Sequence, residues 1–267
     1  MRTQALGGGW VAQSQSATAP FRLHRATTTA EASELLTRYR EATVAAGCSD
    51  LVARMREGEE IARLVSIARI PELQAVSFTG STLRIGSTLT HHAGSADPAV
   101  VEAIPGFARA WSQIATVRIR YTGTIGGNVM ARRHRYEMPL MLGALGARNV
   151  LDDSGRLLTA IEIDTSDLVW FGYERSMRPT TTVALAIRRD GADGFVTRAV
   201  VGSEYRGGYV LEAPGCDREV AGALAAQLPD ECADYAGSAQ YRRKLVAVLA
   251  GRLLAAAARE ENPDDRP

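Results

Sequence analysis

Two short segments of the chain combine glycine with small polar side chains, a composition suited to binding an anion. The first, Gly47–Leu51, follows an apolar run and reads Gly-Cys-Ser-Asp-Leu. The second, Gly123–Asn128, contains paired glycines, with Thr124 and Asn128 as hydrogen-bonding side chains. Glycine lets a bulky ligand approach the backbone, and backbone N–H groups in tight turns bind anions. Together the two segments predict a clamp on one diphosphate, whereas each by itself is equally well an ordinary glycine turn.

Several other kinds of chemistry are excluded by residue type and spacing. Lys244 is the only lysine, so a Walker A loop is absent and lysine Schiff-base chemistry is not expected. No serine stands in a Gly-x-Ser-x-Gly elbow, and the histidines do not form an H-E-x-x-H zinc signature. The three cysteines, Cys48, Cys216 and Cys232, are too far apart for a C-x-x-C unit, so we expect no metal site. If their thiols are reduced, the protein is expected in the cytoplasm.

Two polar clusters have both an ordinary and a functional interpretation. The basic run Arg132–Arg135 is either a solvated surface or a contact for an acidic partner or the anionic end of a ligand. Arginine suits the second role because its fork of N–H groups matches phosphate and carboxylate geometry. His91 and His92 follow Thr88-Leu89-Thr90, which indicates a loop leading into a helix rather than a metal site.

The segments that must position these residues read as a compact α/β unit. Thr28–Glu31 is a capping box that predicts a helix. Buried strands are predicted at 43–46 and 64–67, and a glycine turn at Thr79-Gly80 closes a hairpin between 74–78 and 83–85. Asp97-Pro98 predicts a helix start, with a break at Pro105.

After about Asp164 the pattern changes to short strands followed by helices. Three strands are predicted, at 181–187, 196–203 and 209–211, with turns at Asp190-Gly191 and at 206–208. Two helices close the chain, at about 218–227 and 239–259. This part predicts a second, antiparallel unit.

Composition limits the class of protein and its partners. A chain of 267 residues with 46% hydrophobic and 23% charged residues is an ordinary globular protein of one large or two modest domains. The net charge of +1 gives no long-range attraction to nucleic acid or to an anionic membrane. The sequence contains no stretch of eighteen successive apolar residues, so no membrane-spanning helix is predicted. We therefore expect neither nucleic acid nor membrane as a partner.

The two glycine segments lie within motifs of a known family. The chain resembles the FAD-binding medium subunits of molybdenum hydroxylases of the xanthine dehydrogenase and carbon monoxide dehydrogenase type, over about Phe21–Ala255. The family motif Ala-Gly-Gly-Thr-Asp-Leu corresponds to Ala46–Leu51, and the motif Arg-Asn-x-Gly-Thr-Ile-Gly-Gly-Asn corresponds to Arg120–Asn128. The segments 70–73 and 83–86 and the triplet 241–243 also resemble family segments.

This resemblance implies an α+β fold and a set of cofactor-binding residues. The fold would be a two-part FAD-binding domain of the PCMH type at 21–165, followed by a smaller domain of antiparallel sheet and helices at 166–267, with residues 1–20 as an N-terminal extension. The expected cofactor is FAD, and no catalytic side chain is predicted. Tyr173 is a weaker candidate for a place near the isoalloxazine ring. The residues implied to bind FAD are Ala46, Gly47, Cys48, Ser49, Asp50, Leu51, Gly123, Thr124, Gly126, Gly127, Asn128 and Glu137.

The sequence departs from the family pattern at five places. Cys48 replaces the second glycine of the first motif, and Tyr121 replaces an asparagine of the second. The run Arg132–Arg135 stands where the family commonly has small residues and a proline, and Glu137 stands where it usually has aspartate. The segment of about 164–170, which joins the flavin part to the rest, is shorter than in the family.

Three functions follow from these observations. The leading hypothesis is an FAD-carrying oxidoreductase subunit that transfers electrons between its flavin and an external acceptor, in a complex with an iron-sulfur subunit and a molybdenum-cofactor subunit. The departures at Cys48, Tyr121 and Arg132–Arg135 motivate an alternative, a stand-alone FAD-dependent oxidase or monooxygenase acting on a small-molecule substrate. A third hypothesis is that the altered first turn has lost FAD and the fold serves as a scaffold or binds another ligand.

Overall fold

The structure, a computed structural model, describes residues 18–176, 180–203 and 207–261. The predicted N-terminal extension lies almost wholly outside the described residues, as does the first residue of the predicted turn at 206–208. The described chain forms three sheets with helices packed between and against them. This mixed architecture confirms the predicted α+β fold.

The first sheet has three parallel strands in the order β1-β3-β2. Parallel neighbours need crossover connections, which helices α1 and α2 supply. Thr28 caps α1 as predicted, because its Oγ1 accepts a hydrogen bond of 3.1 Å from the Glu31 N–H. The elements are β1 (Arg22–Arg25), α1 (Thr29–Arg38), β2 (Thr43–Ala45), α2 (Leu51–Arg56) and β3 (Arg63–Ser66).

The second sheet is antiparallel, in the order β4-β5-β7-β6, and begins with the predicted hairpin. A short 3-10 helix, Pro71–Leu73, leads into it. The strands are β4 (Val76–Thr79), β5 (Thr82–Gly86), β6 (Arg148–Leu151) and β7 (Leu158–Asp164).

Six helices lie between β5 and β6. The predicted start at Pro98 and break at Pro105 are confirmed, because each proline begins a separate helix. The helices are α3 (His91–Ser95), α4 (Pro98–Ala103), α5 (Pro105–Gln113), α6 (Val117–Thr122), α7 (Ile125–Met130) and α8 (Met138–Ala144).

The third sheet has four antiparallel strands in the order β11-β10-β9-β8. The sequence predicts three of them but not β8, part of which falls in the predicted joining segment of about 164–170. That assignment was wrong: the connection between β7 and β8 is only residues 165–167. A register irregularity between Leu168 and Trp170 interrupts the alternation of inward and outward side chains that identifies a strand. The strands are β8 (Leu168–Arg175), β9 (Thr182–Asp190), β10 (Gly194–Gly202) and β11 (Tyr209–Pro214).

Two helices, α9 (Val220–Ala226) and α10 (Ala239–Glu261), cover the third sheet, with a 3-10 turn, Asp230–Cys232, between them. Their inner residues form one apolar cluster with the side chains of β9, β10 and β11 that face them. The opposite face of the same sheet joins a larger cluster with α5, α8 and the second sheet, through Phe171 and Val200 among others. In the part of the chain that the structure describes, the helices lack the length or the apolar composition of a transmembrane span.

Candidate functional site

The first glycine segment connects the end of β2 to the start of α2. Cys48 has a φ of 60°, in the left-handed region that favours glycine. Its carbonyl accepts the Val52 N–H at 3.0 Å and so starts the first turn of α2, while its thiol lies 3.4 Å from the carbonyl oxygen of Ala46. Burial raises the pKa of this thiol, which keeps it protonated. The structure therefore places a side chain at a position with glycine-like backbone geometry.

The second glycine segment begins a helix rather than forming the predicted turn. Thr124 is the N-cap of α7, and its Oγ1 accepts the Gly127 N–H at 3.1 Å. Because Thr124 caps the helix, Gly126 and Gly127 lie in its first turn. A Cβ on Gly126 would lie 2.6 Å from the Ser87 carbonyl oxygen, so this position has no room for a side chain.

The two segments touch each other through their backbones. A Cβ built on Gly47 would lie 1.8 Å from the carbonyl oxygen of Thr122, far inside the closest approach of real atoms. Because the obstacle is backbone, it cannot move aside as the end of a flexible side chain would. Gly47 is thus the residue that allows the first segment to reach the second.

A third segment, Ser87–His91, runs antiparallel to the second and supports it. The Gly126 N–H donates to the Ser87 carbonyl at 2.8 Å, and the Ile125 N–H to the Leu89 carbonyl at 3.0 Å. The His91 N–H completes the ladder by donating to the Gly123 carbonyl at 3.0 Å. This role could not be predicted from the sequence, because the ladder joins residues more than thirty positions apart.

All three segments line one cavity of about 630 Å³. Its volume is in the range of small-molecule and cofactor sites. Every one of the twelve predicted site residues lines it: Ala46, Gly47, Cys48, Ser49, Asp50, Leu51, Gly123, Thr124, Gly126, Gly127, Asn128 and Glu137. Arg135 of the basic run also lines it, as the ligand-contact interpretation of that run expects. Further polar residues of the lining are Ser87, His91, Thr116, Tyr136 and Arg156.

Buried oxygen atoms without partners indicate that the cavity is built for a ligand. Ser87 Oγ and Asn128 Oδ1 are buried and have no hydrogen-bond partner among the described residues. Leaving such a group unpaired costs about 1–3 kcal/mol, so proteins satisfy it with another group, a water or a ligand. Both residues line the cavity. A ligand rich in oxygen atoms and hydroxyl groups would satisfy them.

Asp50 joins the first segment to the basic run. Its Oδ1 accepts a 2.9 Å hydrogen bond from the Tyr136 hydroxyl and lies 3.4 Å from the Arg133 guanidinium. Arg54 lies 3.6 Å from the other oxygen. Burial and the Asp50 carboxylate raise the pKa of Tyr136, so its hydroxyl stays protonated. Within the run, Arg133 therefore pairs inside the chain, whereas Arg135 lines the cavity.

Glu137 joins the cavity to the third sheet. Its Oε1 accepts hydrogen bonds from the Tyr173 hydroxyl and, at 3.0 Å, from Arg175, both on β8. Burial and the neighbouring carboxylate raise the pKa of Tyr173 well above its usual value. Tyr173 thus acts on the cavity through Glu137, whose carboxylate it orients.

His91 lies at the start of α3, as the loop-to-helix interpretation predicted. Its ring Nδ1 accepts a hydrogen bond of 2.9 Å from the indole N–H of Trp111. Burial lowers the pKa of His91 to about 4, so the imidazole is neutral near pH 7. In the described part of the chain, no group of three or more His, Cys, Asp or Glu side chains is arranged to hold a metal ion.

Comparison with known proteins gives a consistent family. A family model described as FAD binding domain in molybdopterin dehydrogenase matches residues 19–168. The carbon monoxide dehydrogenase medium chain of Afipia carboxidovorans is 28% identical over 274 residues, covering 87% of this chain and 94% of the relative. The nicotine 6-hydroxylase medium subunit of Paenarthrobacter nicotinovorans is 26% identical over 230 residues, covering 72% and 80%.

Solved structures share the fold. The carbon monoxide dehydrogenase structure from Hydrogenophaga pseudoflava that lacks the Mo-pyranopterin moiety contains a chain that superposes with a TM-score of 0.76 at 22% identity. The match covers 91% of this chain and 98% of that one. The likeness therefore extends beyond residue 168, through the third sheet and its helices.

Proposed function

The chain belongs to the family of FAD-binding domains in molybdopterin dehydrogenases, and from this premise we propose that it is the FAD-carrying subunit of a molybdenum hydroxylase complex. Its cofactor is FAD, and it is a flavin-dependent oxidoreductase subunit. The observation that carries the proposal is the meeting of the two glycine segments at Gly47 and Thr122, on the wall of one cavity. Two motifs more than seventy residues apart are joined there into one site.

We assign FAD binding to the twelve residues predicted from the sequence. In this proposal, the backbones of Ala46–Leu51 and Gly123–Asn128 hold the diphosphate and ribityl chain, because their glycines allow close approach. Glu137, held by Tyr173 and Arg175, accepts a hydrogen bond from a hydroxyl or N–H group of the cofactor. Bound FAD supplies the redox chemistry, accepting and releasing electrons. The protein groups bind, orient and shield the cofactor, which fits the lack of a predicted catalytic side chain.

We propose that the electron partners are other chains, one with iron-sulfur clusters and one with a molybdenum cofactor. The relatives described above are named as the medium chain or medium subunit of their enzymes. The alternative of a stand-alone oxidase or monooxygenase is motivated only by the departures from the family pattern. The contacts of Arg133 and of the adjoining Tyr136 with Asp50 give part of the altered segment a role inside the chain. The complex is therefore the better supported function.

The test is purification of the affinity-tagged full chain from its own host. We expect flavin, iron, acid-labile sulfide and molybdenum to elute together, and flavin reduction by the enzyme's substrate to require the other chains. An isolated chain that oxidises a small molecule with O2, with no metal-containing partner, would establish the stand-alone alternative instead.

Two further assignments stay proposals. We place the protein in the cytoplasm, the compartment that reduced thiols at Cys48 and Cys232 indicate. We also keep the division into an extension at 1–20, an FAD-binding domain at 21–165 and a C-terminal domain at 166–267. The end of β7 at Asp164 and the start of β8 at Leu168 support that boundary.

Replacing Cys48 with glycine should stabilise the protein. A left-handed backbone costs a residue with a Cβ about 1 kcal/mol, and Cys48 has this conformation at a φ of 60°. We expect Cys48→Gly to raise the free energy of unfolding by roughly this amount, measured by denaturant unfolding. Cys48→Ala is the control, since it removes the thiol but keeps the Cβ and should give no gain. Equal stability of the two variants would show that the backbone at residue 48 is not strained.

A further inference from the structure

We propose that Ser87 and His91 are additional FAD-binding residues, forming a third wall of the site outside both sequence motifs. The proposal rests on the proposed function, since it concerns the same cavity. It assigns each side chain a definite role: Ser87 Oγ–H and His91 Nε2–H donate hydrogen bonds to oxygen atoms of the FAD diphosphate or ribityl chain.

The backbone fixes both residues next to the second motif. The three hydrogen bonds between Ser87–His91 and Gly123–Gly126 leave neither segment free to shift along the other. The Ser87 Cβ lies 2.8 Å from the position that a Cβ on Gly126 would occupy. A ligand that approaches the glycines of the second motif therefore also approaches these two side chains.

Ser87, a residue of the cavity lining, has a buried hydroxyl without a partner among the described residues. The residue is only 3% exposed. Its backbone carbonyl is already used by the Gly126 N–H. The hydroxyl is thus the one polar group of Ser87 that the described protein leaves for a ligand.

His91 presents a donor because Trp111 fixes its tautomer. The Trp111 indole can only donate, so the Nδ1 that it contacts at 2.9 Å must be the unprotonated nitrogen. The proton of the neutral ring is then on Nε2. His91 is 1% exposed and lines the cavity, and its Cδ2, which is bonded to Nε2, would lie 3.2 Å from a Cβ built on Gly123.

Because burial lowers the pKa of His91 to about 4, the ring stays neutral and Nε2–H remains a donor over the pH range in which most enzymes work. A neutral imidazole in a buried wall offers a hydrogen bond without a charge to desolvate. Trp111 is accordingly a positioning residue, since it selects the tautomer and does not itself line the cavity.

The first test measures FAD dissociation constants of the full chain by flavin fluorescence. Ser87→Ala and His91→Leu should each weaken FAD binding about 3- to 10-fold, the value of one hydrogen bond. His91→Gln should bind nearly as well as the wild type, because its amide nitrogen can replace Nε2–H. Unfolding curves of the FAD-free variants separate a binding defect from a folding defect.

The second test needs no variant. Nitrogen-15 NMR of the imidazole reports which nitrogen carries the proton, so we expect the Nε2–H tautomer of His91 at pH 7 and a shift of that signal when FAD is added. If the wild type does not bind FAD, the proposed function fails. If it binds FAD but His91→Leu and Ser87→Ala bind equally well, or the His91 signal does not change, this further inference alone is overturned.

Discussion

Gly47→Ala should abolish FAD binding and destabilise the protein, although it adds only one methyl group. The new Cβ would lie 1.8 Å from the Thr122 carbonyl oxygen, so the two motifs must move apart. Overpacking of this kind costs about 1–3 kcal/mol or more in stability. Because the two motifs that form the cavity wall would no longer meet, we expect FAD affinity to fall by at least about 100-fold, which is roughly 2.8 kcal/mol.

Gly222→Ala is the matched control for this substitution. Gly222 lies within α9, and a Cβ built there meets no atom within 4 Å. Alanine should therefore stabilise the helix by roughly 0.5–1 kcal/mol and leave FAD binding unchanged. Titration of both variants with FAD, together with denaturant unfolding, separates the local clash from a general effect of alanine. Binding by Gly47→Ala at wild-type affinity would contradict the contact between the motifs.

Asp234→Ala should strongly destabilise the protein, although Asp234 does not line the cavity. The Asp234 and Arg242 side chains are 7% and 4% exposed, and they lie 2.5 Å apart. The Arg242 guanidinium also donates to the Thr180 carbonyl. Removing the carboxylate leaves the buried guanidinium without its counter-charge, which costs about 3–5 kcal/mol. For a chain of this size the midpoint of thermal unfolding should fall by about 10 °C.

The neighbouring ion pair is the control. Arg243 pairs with Asp230 at 2.7 Å, but the Asp230 side chain is 83% exposed. Because exposed pairs contribute little, Asp230→Ala should cost less than about 1 kcal/mol. Thermal and denaturant unfolding of both variants give the comparison. Equal losses for Asp230→Ala and Asp234→Ala would contradict the burial of the Arg242 pair.

Local signals allowed much of the fold to be predicted. The cap at Thr28, the hairpin at Thr79-Gly80, the helix start at Pro98 and the break at Pro105 are each set by a few adjacent residues, and all are confirmed. Strand β8 was missed because its pairing is irregular at Leu168, which removes the alternation that sequence reading depends on.

Some residues of the site could likewise be predicted from local sequence, and others could not. The glycine segments could be located from sequence because glycine at a close backbone approach has few substitutes, as Gly47 shows. Ser87 and His91 could not, since only the ladder to the second segment brings them to the cavity. The contact of Asp50 with Tyr136 likewise joins residues far apart in the chain, so no local sequence pattern predicts it.

The absorbance spectrum of the purified full chain, recorded before and after addition of FAD and removal of the excess, tests the central claim most directly. We predict the near-ultraviolet and blue bands of oxidised flavin, FAD bound stoichiometrically to the chain, and its release on denaturation. The Gly47→Ala protein should stay colourless under the same treatment. A wild-type chain that is folded but takes up no flavin would contradict the account and favour a scaffold that has lost its cofactor.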